Sequence, residues 1–184
     1  MYDLPKSLII NEKEYDIRTD YRVVLDIFSA FNDNMLSETE KWLIALEILF
    51  IDYETINDYE SAMKQVSWFL NCGMNMGNRK DEKVFDWNKD FQFIVAPINK
   101  AFGKDIRAEE YMHWWTFMGY FLEIGECSFS NIVSIRNKIK KGKKLEKYEQ
   151  DFVNENQDLI NMPSDNEALN ILKKLRGEEV NSGE

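Results

Sequence analysis

Residues 111–118 read Tyr111-Met112-His113-Trp114-Trp115-Thr116-Phe117-Met118. Two adjacent tryptophans stand beside the only histidine of the 184-residue chain. Tyr111, Trp114, Trp115, Met118, Phe121 and Leu122 recur at helical spacing, which predicts a helix over 107–124. Its apolar face is wide enough to pack on several sides. Tyr111, Trp114, Trp115, Met118 and Phe121 are therefore expected as structural core. Each large side chain buried contributes roughly 1.5–3 kcal/mol before entropy is subtracted. Gly125 is the expected stop.

Working outward, the same period recurs. Tyr21, Val24, Leu25, Phe28 and Phe31 share one helical face, and Asn32-Asp33-Asn34 ends it. Ser37 with Glu40 forms a capping box that opens a helix to about Ile51. Asn57 with Glu60 opens the next, with Tyr59, Ala62, Met63, Val66, Phe69 and Leu70 as its stripe and Gly73 as its stop. Asp86 caps a helix carrying Trp87, Phe91, Ile94, Val95, Ile98 and Phe102; Pro97 lies inside it, where a kink is expected, and Gly103 closes it. Ser128 or Ser130 starts another, with Phe129, Ile132, Val133 and Ile139 inward. Gly142 interrupts, and Leu145, Tyr148, Phe152 and Leu159 mark a last long amphipathic piece.

Residues 8–17 have period two instead. Leu8 and Ile10, then Tyr15 and Ile17, alternate with their neighbours, predicting a hairpin that turns at Asn11-Glu12-Lys13-Glu14 without a glycine. The expected fold is mainly α: a compact multi-helix domain over residues 1–161 with a small N-terminal β-hairpin. Residues 74–83 are polar and aperiodic, a candidate hinge loop. Residues 162–184 form a frayed C-terminal tail with one short helix over 167–176.

Composition excludes several functions. The chain carries 33 acids against 23 bases, a net charge of −10, which opposes general affinity for nucleic acid or anionic membranes. The longest apolar run, Trp42 to Ile51, contains Glu47 and is about half the length of a membrane span. The opening Met-Tyr-Asp-Leu-Pro-Lys lacks a basic start followed by an apolar run, so no signal peptide is expected. Cys72 and Cys127 lack metal-ligand spacing, and one histidine cannot complete a usual zinc site. They read as free thiols of a reducing cytoplasm. No phosphate loop, Gly-x-Ser-x-Gly, His-Glu-x-x-His or Cys-x-x-Cys is present. No cofactor, metal or catalytic residue is assigned, and the chain reads as a non-enzyme.

Three features carry rival readings. His113 with Glu109 four residues before it has the spacing of a base and its orienting partner. A satisfied core or boundary histidine is the reading adopted, because Thr116 is the sole hydroxyl one turn on. The pairs Asp81/Glu82 and Glu109/Glu110 read as solvated faces, because no Asp-x-Asp-x-Asp-Gly loop accompanies them. Residues 136–147 hold seven bases (Arg136, Lys138, Lys140, Lys141, Lys143, Lys144, Lys147) and one acid, Glu146, for a net +6. No aromatic occurs until Tyr148, so the block lacks a stacking platform for nucleic acid. It is either a solvated helix pair or a basic face, Arg136, Lys140, Lys141, Lys143 and Lys144, that meets an acidic face of another copy. Trp42 and Phe50 are candidate groove residues, since the helix that carries them has more apolar positions than one stripe uses.

Several segments together resemble a family of phage proteins, the bacteriophage gene-product-fifteen proteins. They are Phe85-Asp86-Trp87 with Asp90, Gly103-Lys104-Asp105-Ile106, the stretch 111–117, and Phe129-Ser130-Asn131-Ile132-Val133-Ser134-Ile135-Arg136. Leu4-Pro5, Tyr15-Asp16-Ile17 and Thr19-Asp20-Tyr21-Arg22 fit the family's opening, so the resemblance covers most of residues 3–155. Glu12, where a glycine is expected, and Pro97, in a helix usually rich in alanine, depart from it. The resemblance implies a role similar to that of siphophage tail assembly chaperones. Such proteins act in the host cytoplasm, coat the helical tape-measure protein before the tail tube polymerises around it, and are absent from the virion. Some exist in a second, frameshifted length. Its implied partners are the tape-measure protein, the major tail protein and further copies of itself. The alternative is a structural virion module, a tail adaptor or connector.

Overall fold

The computed structural model describes residues 3–74 and 84–161. The chain divides into two compact units, residues 1–130 and 131–184.

The first unit opens with an antiparallel hairpin of β1 (Ser7–Ile10) and β2 (Lys13–Asp16), with Ser7 opposite Asp16 and Ile10 opposite Lys13. Leu8, Ile10, Tyr15 and Ile17 are buried and Ile9 is exposed, as the alternation requires. The turn is Asn11-Glu12, with φ of 48° and 66°. Asparagine tolerates that left-handed region and glutamate does so at a cost, which explains why a glycine is expected at 12.

Five helices follow: α1 (Tyr21–Phe31), α2 (Glu38–Leu49), α3 (Tyr59–Leu70), α4 (Trp87–Phe102) and α5 (Trp114–Leu122). Asp20 caps α1, the Ser37–Glu40 box caps α2, and Asp86 caps α4 through the amides of Asn88 and Lys89. α3 is capped by Asp58 rather than Asn57, because the Asp58 carboxylate reaches the Ser61 amide at 3.0 Å. A short 3₁₀ turn, Tyr53–Thr55, links α2 to α3.

The helix expected over 107–124 is shorter. Residues 106–108 are a 3₁₀ turn, and the regular helix begins at Trp114. The reason lies in the backbone bonds of the stretch before it. Trp114 N donates to Thr19 O at 2.7 Å, Tyr21 N to Met112 O at 2.9 Å, and Met112 N to the Asp20 carboxylate at 3.0 Å. Arg22 reaches the Glu109 carbonyl. Groups that a helical turn would pair internally are satisfied by the start of α1 instead. Tyr111 is consequently not core: it is 54% exposed, and its hydroxyl meets that of Thr19 at 2.7 Å. Leu122 is also exposed. Trp114 is buried, and Trp115, Met118 and Phe121 are half-buried. Phe117, outside the predicted stripe, is fully buried and stacks on Tyr21 at 4.6 Å.

Trp87 is the hub of this core, touching the rings of Phe28, Phe85, Trp114, Phe117 and Phe121 at 4.8–6.1 Å between centroids. The paired tryptophans also finish α3. Trp114 Nε1 donates to Leu70 O at 3.0 Å and Trp115 Nε1 to Phe69 O at 2.9 Å. The indoles packed over this helix end thereby satisfy the Leu70 carbonyl and give the Phe69 carbonyl, which also takes the Cys72 amide at 3.0 Å, a second donor.

Further along the chain are α6 (Ser128–Lys140), α7 (Lys147–Glu155) and α8 (Gln157–Ile160). Cys127 and Ser130 exchange bonds at the start of α6: Ser130 Oγ accepts from Cys127 N at 2.9 Å, and Cys127 Sγ accepts from Ser130 N at 3.5 Å. Ile139, expected inward, is exposed; Ile135 is buried in its place. The expected long amphipathic piece is two helices split at Asn156. In α7 the inward residue is Glu149, whose carboxylate takes Lys138 Nζ at 2.7 Å and Glu146 N at 2.9 Å, while Tyr148 points out. Residues 75–83 of the expected hinge and the tail 162–184, with its short helix, lie outside the described residues.

Candidate functional site

His113 is the first place to look for chemistry, and its geometry is that of a cap. As the residue before α5, it accepts the Trp115 amide on Nδ1 at 3.0 Å. An amide can only donate, so the ring proton sits on Nε2, 2.9 Å from the Pro5 carbonyl. The imidazole is 3% exposed. Burial is the largest influence and pushes its pKa below the usual histidine value; the Pro5 carbonyl opposes this and Lys6 adds to it. Glu109 is not its partner but pairs with Lys104 Nζ at 2.6 Å. A small apolar pocket of about 310 Å³, lined by Leu4, Phe102, Tyr111 and Met112, borders the ring. Both ring nitrogens are committed to backbone groups. Among the described residues no cluster of three or more His, Cys, Asp or Glu is placed to hold a metal ion. No helix there is long and apolar enough to cross a membrane.

The apolar surface lies on α2 and α3. α2 carries apolar side chains on nearly every side: Trp42, Leu43, Ile44, Ala45, Leu46, Ile48 and Leu49. Ala45, Leu46 and Leu49 are buried, which leaves Trp42 half-buried and Leu43 44% exposed. Across from them, the start of α3 offers Tyr59, 46% exposed, and Met63. Together with Glu38, Thr39 and Leu46 these residues line a mostly apolar groove of about 360 Å³. Phe31 braces its floor, meeting the Trp42 ring edge-on at 5.0 Å. Polarity is confined to one end, where Glu38 pairs with Lys41 at 2.9 Å. Such a groove can take the apolar ridge of a helix.

The residues singled out from the sequence separate here. Trp42 lines the groove. Phe50 does not: it is fully buried, bridges Ile17 and meets Tyr15 edge-on at 6.1 Å. The backbone turns extended at Phe50, which carries it off the helix surface. Arg18 closes that end of α2, donating from Nη1 to the carbonyls of Glu47, Ile48 and Phe50 at 2.7–3.2 Å. Arg136 is also withdrawn from the surface: it is 5% exposed and donates to the Leu159 carbonyl. Lys140, Lys141, Lys143 and Lys144 are exposed. Leu43, Tyr59 and Met63 join Trp42 as groove residues. For Leu43 the signal is the surplus of apolar positions on α2 that marks Trp42; Tyr59 and Met63 fit the single stripe of α3 and carry no such signal.

A family model described as Bacteriophage Gp15 protein matches residues 1–162. Neither a curated protein nor a solved structure matches the chain.

Proposed function

The chain belongs to the Bacteriophage Gp15 protein family, and on that premise we propose that it is a non-enzymatic tail assembly chaperone. It binds the helical tape-measure protein in the host cytoplasm, holds it soluble while the tail tube assembles, and is absent from the finished virion. The observation that carries this reading is the α2–α3 groove. Trp42, Leu43, Tyr59 and Met63 present an apolar trough with exposed rims, the shape that accepts one face of an amphipathic helix. The net charge of −10 keeps copies apart from one another's apolar surfaces and the loaded client in solution.

Co-expression with the tape-measure protein tests it. The expected result is a soluble complex that co-purifies, and that Leu43→Asp with Tyr59→Ser abolishes while changing the unfolding free energy by no more than about 1 kcal/mol, since both sites are exposed. A client that precipitates equally with or without this chain overturns the reading. Mass spectrometry of purified particles is the second readout: stoichiometric copies in the virion would make the chain a tail adaptor or connector module. Co-purification of the major tail protein with the complex would extend the partner set.

A further inference from the structure

The groove leaves one sequence feature without a role, the basic block at 136–147. Its net +6 has a counterpart in the same chain: residues 38–60 hold seven acids and one base, a net −6. The fold decides which of these charges are available. In the basic block Arg136 is buried and Lys138 is held by Glu149, whereas Lys141, Lys143, Lys144 and Lys147 are exposed and make no ion pair among the described residues. Gly142, with φ of 59°, follows the end of α6, and Lys141, Lys143 and Lys144 stand on the connection to α7. In the acidic segment Glu38 is paired with Lys41, Glu40 belongs to a capping box, Asp58 caps α3 and Glu60 meets Lys64. Glu47, Asp52 and Glu54 are exposed and make no ion pair among the described residues. They line one depression of about 660 Å³ beside the end of α2, together with Tyr53, Thr55 and the exposed Arg18, whose Nη1 is spent on the Glu47, Ile48 and Phe50 carbonyls and which leaves the depression with three acids against one base. Glu47, as the largest influence, raises the Tyr53 hydroxyl pKa.

We propose that the lysines at 141, 143 and 144 of one copy dock on the Glu47–Asp52–Glu54 depression of a second copy, so that this chain self-associates through two different surfaces. The partner is another copy because both halves of the contact, opposite in sign, stand on one sequence: exposed lysines on one, and a depression with three acids against one arginine on the other. A nucleic acid would meet a chain whose net charge repels it. The contact does not use the α2–α3 groove, so it stands or falls independently of the client reading. Joining unlike surfaces leaves each copy able to bind one neighbour at each. The pairs are exposed, so the association is weak and screened by salt.

Sedimentation of the full chain tests the contact, comparing about 0.1 M with about 1 M sodium chloride, across which the screening length falls from about 10 Å to about 3 Å. Concentration-dependent association at low salt, weakened roughly tenfold or more at high salt, is expected. Two variants then separate the surfaces: Lys141→Gln with Lys143→Gln and Lys144→Gln, and Glu47→Gln with Asp52→Asn and Glu54→Gln. Each variant alone is monomeric, and the two mixed form a one-to-one pair through the one intact contact. That mixing result cannot come from misfolded variants. The proposal is overturned by a wild-type monomer at low salt, by association indifferent to salt, by variants that associate like the wild type, or by a mixture that does not pair. Retention of the chain on DNA through these lysines without self-association also overturns it.

Discussion

Acidification should destabilise this protein through His113 alone over one pH window. The chain has a single histidine. Carboxylates titrate below about pH 5 and thiols and amines above about pH 7.5, so between these limits His113 is the one side chain whose charge changes. In the folded state the imidazole is buried and must stay neutral to accept the Trp115 amide on Nδ1, and its pKa is lowered by burial. The unfolded chain therefore binds the proton first, and stability falls as pH drops below the unfolded value of about 6.5. Linkage sets the largest loss by pH 5.5 at about 1.4 kcal/mol. With a urea slope of about 2 kcal/mol/M, the midpoint falls by up to about 0.7 M. Below the folded pKa the dependence levels off. His113→Asn isolates the cause: asparagine keeps a capping oxygen but does not titrate, and it leaves the Pro5 carbonyl without its donor. That variant should be about 1–2 kcal/mol less stable at pH 7.5, and its midpoint should be flat down to pH 5.5. Urea titrations followed by tryptophan fluorescence measure both. A wild-type midpoint that does not move over this range, or a slope that survives in His113→Asn, would refute the argument.

Three further substitutions probe the scaffold. Gly73→Ala should cost about 2 kcal/mol in chemical unfolding, because Gly73 has φ of 75° and a Cβ there would stand 3.1 Å from the Trp115 ring. Glu12→Gly should gain about 0.5 kcal/mol, seen as a higher midpoint, because it relieves a left-handed glutamate and creates an Asn-Gly turn. Trp114→Phe should cost about 2–3 kcal/mol, since it strands the Leu70 carbonyl in the core and leaves unfilled volume; faster hydrogen exchange at the end of α3 would locate the damage.

Elements whose bonds are local were legible in the sequence. The Ser37–Glu40 box and the Asp86 cap each close within four residues, so a short window contains the whole cause. The stretch before Trp114 has the opposite character. Tyr111 lies three residues before Trp114 and four before Trp115, so the apolar period runs through it without a break. What ends the helix there is Thr19, Asp20 and Arg22, about ninety residues away, which take the backbone groups of 109–114. Histidine is not among the strong capping residues, so His113 gave no local stop signal. Phe117 has the same cause: with Tyr111 off the helix, the core-facing side is the one that Trp114 and Phe117 share three residues apart.

The groove shows how a surplus of apolar residues can be read correctly while the residues themselves are half misassigned. One helix face accommodates about three or four apolar positions per two turns, and α2 offers far more than its buried Ala45, Leu46 and Leu49 consume. Some of the remainder had to reach the surface, so the presence of a patch was decidable from composition. Its location was not. Phe50 follows the last turn of α2, and whether it continues the helix surface depends on the chain beyond it. The Ile17 bridge and the three carbonyl bonds from Arg18 pull that segment extended and turn Phe50 inward. On α3 the reverse happens. Tyr59 and Met63 belong to the stripe that buries Ala62, Val66 and Phe69, yet they lie at its margin, beside a fully buried Ala62, and stay partly exposed. An amphipathic period states which side faces inward, not how wide a strip of that side the neighbouring helix covers. The groove forms where the surplus of α2 meets the partly covered margin of the α3 stripe, at Tyr59 and Met63, and neither helix alone specifies it.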